Sequence, residues 1–419
     1  MATVVLVGTL DTKGEEYGYL ADRVRTAGAR VLLVDTGVVG PPLVEPDIAR
    51  DEVAAAAGVT IAALASAGDR GAAVEAMARG AAVVVRRLHA EGRLDAIAGL
   101  GGSGGAAIIS QAMQALPVGI PKLLVSTMAA GDTRPYVGTV DVALLYPVVD
   151  IAGLNRLSER ILANAAAAIA GMAGVADSIG ARGEIEGGQL PLVGATMFGV
   201  TTPCVTVARE WLESRGYEVL VFHATGTGGR AMEGLIRAGF IGAVLDVTTT
   251  ELADELVGGV LSAGPDRLEA AGHVGLPQVV SLGALDMVNF GPPDSVPERF
   301  RDRTFYRHNP SVTLMRTTAA ECAELGTLMA GKLNAARGPV TVFVPLGGLS
   351  AIDVPGAPFH EPEAGAALVR ELKAGLRADI EVVEMDVPIN DPGFATAMAQ
   401  RLDRYVRDGL AAVSATGAR

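Results

Sequence analysis

The chain has 419 residues, enough for two or three domains. Half of it is apolar, only 4% is aromatic and 53 residues are glycine, a mix that suits tightly turned α/β layers rather than a disordered or fibrous chain. A net charge of −13 argues against a broad nucleic-acid footprint, because phosphates are repelled on average. With only Cys204 and Cys322, the chain has no disulfide framework, as expected of a reducing cytoplasm. The start, MATVVLVGTLDTK, has no basic n-region, and no apolar run reaches the roughly 20 residues of a membrane span. A cytoplasmic protein without membrane partners is expected.

Short β-branched runs alternate with alanine-rich stretches, the pattern of βαβ units around parallel sheets. Thr3–Val7 reads as a strand buried on both faces, GTLDTKG (8–14) as a turn, and the next stretch as a helix with Tyr17, Leu20 and Val24 in register and Gly28 as its stop. A strand follows at Arg30–Asp35, then a proline-rich loop and helices near 51–65 and 70–91. Asp95–Leu100 is a predicted strand, Ala106–Leu116 a helix, Pro121–Ser126 a strand and Leu154–Met172 a long helix. Residues 177–190 lose apolar periodicity and read as a linker. After it a similar order restarts: strand Leu192–Ala195, turn TMFGVTTP, helix VTVAREWLESRG, strand YEVLVFHATG. The expectation is two Rossmann-like parallel-sheet domains, 1–180 for nucleotide and 190–419 for substrate or partner. They look like one unit used twice, with a ligand cleft between them.

Residues 99–105, GLGGSGG, fit three motifs. As a dinucleotide fingerprint they lack the acid expected about 20 residues on, at the end of the next strand. As a hydrolase elbow around Ser103 they lack a histidine and acid in the expected order, the next histidine being His223. As a phosphate cradle they need only free backbone N–H groups at a helix start, which Gly101, Gly102, Ser103, Gly104 and Gly105 supply. A tight turn without a ligand is the bland alternative; the cradle is favoured. Neighbouring strand-end loops would add Thr9, Asp11, Thr12, Lys13, Asp35, Thr127, Met128 and Asp132, a set suited to a nucleotide whose phosphates arrive with Mg²⁺. GTLMAGKL (326–333) misses a Walker A loop by its last residue and lies in a helical pattern. The second half places His308, Asp286 and His223 at presumed strand ends as candidate proton-transfer groups. No metal-ligand spacing is present among the five histidines and two cysteines of the whole chain.

Many stretches together, among them GTLDTKGEE, GLGGSGG, STMAAGDTRPYVG, TMFGVTTP, FHATGTGGRAME, GALDMVNFG, RHNPSVTLMRTT and INDPGFA, resemble the ATP-binding family named for the N-terminal region of the tomato mosaic virus resistance protein. That resemblance implies a two-domain Rossmann-like protein, a homodimer, holding ATP in its first half. It supplies no catalytic set, and the plant relatives' binding of a viral protein need not extend to this chain. Three functions stay open: an ATP-using enzyme acting on a small, acidic metabolite at the cleft; a nucleotide-gated binding protein without turnover; and a hydrolase or lyase of small carbon compounds.

Overall fold

The computed structural model describes residues 1–179 and 190–416, and the chain divides into two compact units, residues 1–184 and 185–419. Most of the expected linker, 180–189, lies outside the described residues.

Unit 1 runs β1 (Thr3–Gly8), α1 (Leu10–Thr26), β2 (Arg30–Asp35), α2 (Arg50–Ala56), α3 (Ile61–Ala67), α4 (Arg70–Ala90), β3 (Ala96–Gly101), α5 (Ser103–Gln114), β4 (Lys122–Ser126), α6 (Arg134–Val137), β5 (Val142–Leu145) and α7 (Arg156–Ile179). All five strands are parallel, in the order β2-β1-β3-β4-β5. Their β-branched and leucine side chains alternate into two apolar layers. One contains Val4, Leu6, Tyr17 and Leu20 and packs under α1 and α7; the other contains Val5, Val7, Met77 and Ile109 and packs under α4 and α5.

Several expected boundaries move, each for a local reason. The supposed turn at 8–14 is the first part of α1, because Leu10 is buried and the helix accommodates a kink at Lys13 (φ −129°, ψ 19°). The helix foreseen near 51–65 is two, separated where Gly58 takes φ +75° and Thr60 caps the second through the Ala63 N–H. The helix after the glycines begins at Ser103, three residues early, since glycines 104 and 105 enter the helix themselves. The last helix continues to Ile179, into the stretch read as linker.

Unit 2 runs β6 (Val193–Met197), α8 (Thr202–Glu213), β7 (Val219–His223), α9 (Thr227–Arg237), β8 (Ala243–Thr248), α10 (Glu251–Val257), α11 (Ala270–Val274), β9 (Gln278–Gly283), β10 (Met287–Phe290), β11 (Phe305–Asn309), β12 (Val312–Arg316), α12 (Ala319–Asn334), β13 (Val340–Pro345), α13 (Pro362–Gly375), β14 (Glu381–Met385) and α14 (Pro392–Thr416). Six strands form a second parallel sheet, β14-β13-β9-β8-β6-β7, and β10-β12-β11 form an antiparallel sheet inserted between β9 and β13. Counted from its own first strand, the large sheet opens in the same 2-1-3-4-5 order as unit 1. The near-Walker stretch is the buried middle of α12, where a Cβ on Gly326 would lie 2.4 Å from the Leu368 carbonyl. Among the described residues no helix is long and apolar enough to cross a membrane.

In unit 1 the chain leaves β1 toward β2 on one side while β3 lies on the other, so β1 and β3 part at their carboxyl ends. Ladder pairing between them ends at Leu6 and Ala98. Tyr17 of α1 fills the opening: its hydroxyl accepts the Leu100 N–H (2.8 Å) and donates to the Val7 carbonyl (2.5 Å). The ring is fully buried, and burial pushes the phenol pKa well above its ordinary value. Gly8 lies beneath it; a Cβ there would sit 1.9 Å from the hydroxyl. Tyr17→Phe removes the partner of a buried N–H and a buried carbonyl and is expected to cost about 1–3 kcal/mol in denaturant unfolding of the whole chain. A loss below about 0.5 kcal/mol would show that the bridge is dispensable.

Candidate functional site

The parting of β1 and β3 opens a cavity of about 740 Å³ above the carboxyl ends of β1, β2 and β3, within the range of small-ligand sites. In parallel α/β sheets a ligand occupies this crevice, where the strand order reverses. Its floor is the start of α5. The Ala106 N–H is the first in the helix to find a backbone acceptor, Gly102 O at 2.8 Å, so the amides of Ser103, Gly104 and Gly105 point out of the helix end. No acidic side chain occupies the first turn, and the Ser103 side chain is exposed at the cavity.

The glycines divide by what a side chain would meet. A Cβ on Gly99 would lie 2.7 Å from Ile109 and from the Val7 carbonyl, and one on Gly101 3.1 Å from the Gly105 Cα. Strand–helix packing therefore requires those two. Gly102, Gly104 and Gly105 differ: the nearest atoms to an added Cβ stand 4.0, 3.5 and 3.7 Å away, and none of the three has positive φ. Alanine in the helical turn would improve helix propensity by roughly 1 kcal/mol per site. Neither packing nor backbone conformation requires glycine at these three positions.

Two buried polar atoms among the cavity's lining residues have no protein partner. One oxygen of Asp11 accepts the Val39 and Gly40 N–H groups (2.8 and 3.2 Å), with Arg50 3.9 Å away, while the other, Oδ1, is unpaired. The Thr36 hydroxyl is likewise buried and unpaired. Thr9 and Thr12 lie alongside, their hydroxyls 2.8 Å apart. Val38, Leu64, Val74, Met77 and Ile108 give an apolar wall.

Of the expected binding residues, the cavity gathers Thr9, Asp11, Thr12, Gly102, Ser103, Gly104 and Gly105. Gly101 ends β3 beside them. Asp35 is fully buried and engaged by the protein itself: it accepts the N–H groups of Leu10 (3.1 Å) and Gly37 (2.8 Å) and the Arg50 guanidinium (2.7 Å). Lys13 donates to the Ile151 carbonyl. Thr127 and Met128 form a short 3₁₀ turn after β4, and Asp132 is exposed and paired with Arg134 (2.7 Å), which holds its carboxyl down at about 2. None of these last five is among the cavity's lining residues. Sequence reading missed Thr36, Asp69 and Arg70, which line it. Arg70 opens a long amphipathic helix, and in sequence it is indistinguishable from a solvated surface arginine. Among the described residues no cluster of three or more His, Cys, Asp or Glu side chains is arranged to hold a metal ion.

In unit 2 the three expected proton-transfer residues lie apart. Asp286 follows a turn in which Ala284 takes φ +57°, and it sits at the Arg316 end of β12. His308 is exposed at the bulge of β11, opposite the Val312 end of β12. Three to four residues of strand, about 10–13 Å, separate these positions. His223 ends β7, exposed, with its ring stacked on Phe198 (5.5 Å between centroids). Asp286 is fully buried: one oxygen accepts from the Ser350 hydroxyl (2.8 Å), and the other is unpaired. Burial, reinforced by the negative charge of Asp353, raises its pKa to about 7, while Arg316 and Ser350 pull the other way. The folded state therefore favours the protonated acid. Between pH ~4, where the unfolded carboxyl ionises, and pH ~7, the unfolded chain binds fewer protons, so stability falls as pH rises, by at most about 1.4 kcal/mol per pH unit from this group. Thermal unfolding across that window is expected to show the decline, and Asp286→Asn to flatten it. An unchanged slope in the variant would remove Asp286 as its source.

Comparison with known proteins follows the two-unit division. The N-terminal domain model of the uncharacterised protein family UPF0261 matches residues 2–178, and its C-terminal domain model matches residues 190–406. A UPF0261 protein of Clostridium tetani is 53% identical over 400 residues, 95% of this chain and 98% of that protein. One from Rhizobium meliloti is 48% identical over 399 residues, 95% of this chain and 97% of that protein. The ToMV resistance protein Tm-1(GCR237) of Solanum lycopersicum is 41% identical over 412 residues, 94% of this chain but 54% of that protein. The kinship read from the scattered motifs is thus present over nearly the whole chain, which belongs to the UPF0261 family.

Proposed function

We propose that unit 1 binds ATP in the crevice between β1 and β3, with the phosphates resting on the amides of Ser103, Gly104 and Gly105. The observation that carries this reading is the set of three glycines with room for a side chain and no backbone need to lack one. A helix start with free N–H groups attracts anions through its partial positive charge, and it does so locally despite an acidic chain. The apolar wall from Val38 to Ile108 suits a base, and the unpaired oxygen of Asp11 suits a ribose hydroxyl or a Mg²⁺ ion held mainly by phosphates. Asp35 is already saturated by Leu10, Gly37 and Arg50, which leaves Asp11 as the acid with a buried, unpaired oxygen. Binding with ordered loops, without turnover in unit 2, is the form favoured here, because Asp286 is enclosed and His308 stands at the other end of β12.

Gly104→Ala and Gly105→Ala separate binding from folding. Each is expected to leave the melting temperature unchanged or to raise it, by about 1 kcal/mol of added stability. Each is also expected to weaken ATP binding by tenfold or more in titration calorimetry, through loss of close approach to the amides. Wild-type affinity in both variants, or no heat with ATP and Mg²⁺ in the parent, overturns the reading.

A further inference from the structure

Arg70 is the one cation among the cavity's lining residues, beside the acids Asp11 and Asp69. Its guanidinium Nη2 lies 3.5 Å from the point a Cβ on Gly104 would occupy, directly over the first turn of α5. No ion pair or hydrogen bond engages this side chain among the described residues, although most arginines of the fold are paired. Its neighbour Asp69 is turned away to cap α4, accepting the Ala72 N–H at 3.0 Å. Across the same cavity the buried Thr36 hydroxyl and Asp11 oxygen also lack partners. A free guanidinium facing bare amides is a two-sided grip on one anion: the amides donate from the helix end and the guanidinium closes over the top with a planar, permanently charged fork.

We infer that Arg70 sets the ligand class of the crevice, gripping phosphate from the side opposite α5 so that phosphorylated ligands are held more tightly than the unphosphorylated nucleoside. This deepens the nucleotide reading and rests on it for the base, but the phosphate grip stands independently. Arg70 opens α4 two residues after Gly68 (φ +62°), the left-handed end of α3. A phosphate between Arg70 and α5 therefore ties the α3–α4 turn to the cradle.

The test uses the full chain and three probes in calorimetry at fixed salt: ATP with Mg²⁺, inorganic pyrophosphate, and adenosine. Arg70→Gln is expected to weaken ATP and pyrophosphate by about ten- to a hundredfold, the scale of a charge-assisted contact, and to leave the adenosine signal unaltered. Arg70→Lys is expected to recover part of the loss, because it restores the charge without the fork. The side chain is exposed, so all variants should melt with the parent. ATP bound by Arg70→Gln as tightly as by the parent overturns the inference while the nucleotide reading survives. Pyrophosphate bound in an Arg70-dependent way, with ATP no tighter, keeps the inference and overturns the nucleotide reading. Equal losses for adenosine and ATP also defeat it, since Arg70 would then be supporting the fold or the base pocket.

Discussion

The structure of unit 1 depends on how two neighbouring strands are allowed to come apart. Strands β1 and β3 are hydrogen-bonded as far as Leu6 and Ala98, and beyond that the chain must leave in opposite directions. Separation exposes main-chain groups inside an apolar layer, and such groups are unstable without partners. Tyr17 meets that requirement with a single hydroxyl between Val7 and Leu100, supported by a helix whose first turns are packed through Leu10 and Gly14. Because the phenol sits below the rim, the carboxyl ends of the strands remain open above it. The crevice is thus a consequence of strand order, and the phenol makes it compatible with a dry core.

The two units begin with the same strand order and use its reversal differently. In unit 1 the crevice is lined by groups that the protein leaves uncommitted: three amides, the Thr36 hydroxyl and one oxygen of Asp11. In unit 2 the corresponding region between β6 and β8 is filled from within. Thr196 bonds Asp246 (2.7 Å) and Thr248 (2.9 Å), and Arg267, fully buried, is held by Asp246 (2.6 Å) and Glu251 (2.7 Å). Glu251 in turn accepts the Gly226 and Gly229 N–H groups around the start of α9 (2.7 and 3.0 Å), as a bound anion would at a helix end. A buried arginine is tolerable only with this degree of pairing. The polar stretches FHATGTGG and LDVTTTE therefore serve one another.

Much of this was legible along the chain, and the failures have physical causes. The β-branched runs marked the central strands because strands buried on both faces carry no polar alternation. The glycine-rich turn marked the start of α5 between a strand and a helix, but spelling could not separate Gly99 and Gly101, demanded by packing, from Gly102, Gly104 and Gly105, which are not. Asp35, at the end of β2, and Lys13, in the first turns of α1, were plausible chemical types, yet Arg50 and the Ile151 carbonyl had already claimed them. Arg70 went unnoticed because nothing in its helix distinguishes a rim residue from a solvated one. Short edge strand β5 carried no signal strong enough to mark it, being only partly buried along its four residues.

Sequence alone determined the class of fold, the two-part organisation suggested by a repeated strand–turn–helix order, and the location of a glycine turn at a helix start. Those features are written in local periodicity and side-chain size, which a reader of the chain can see. Only the tertiary structure decided which carboxylates, hydroxyls and cations are left without a protein partner. Freedom of a polar group is a property of its neighbours in space: Asp11 and Asp35 are chemically alike, and what separates them is where Leu10, Gly37 and Arg50 come to rest.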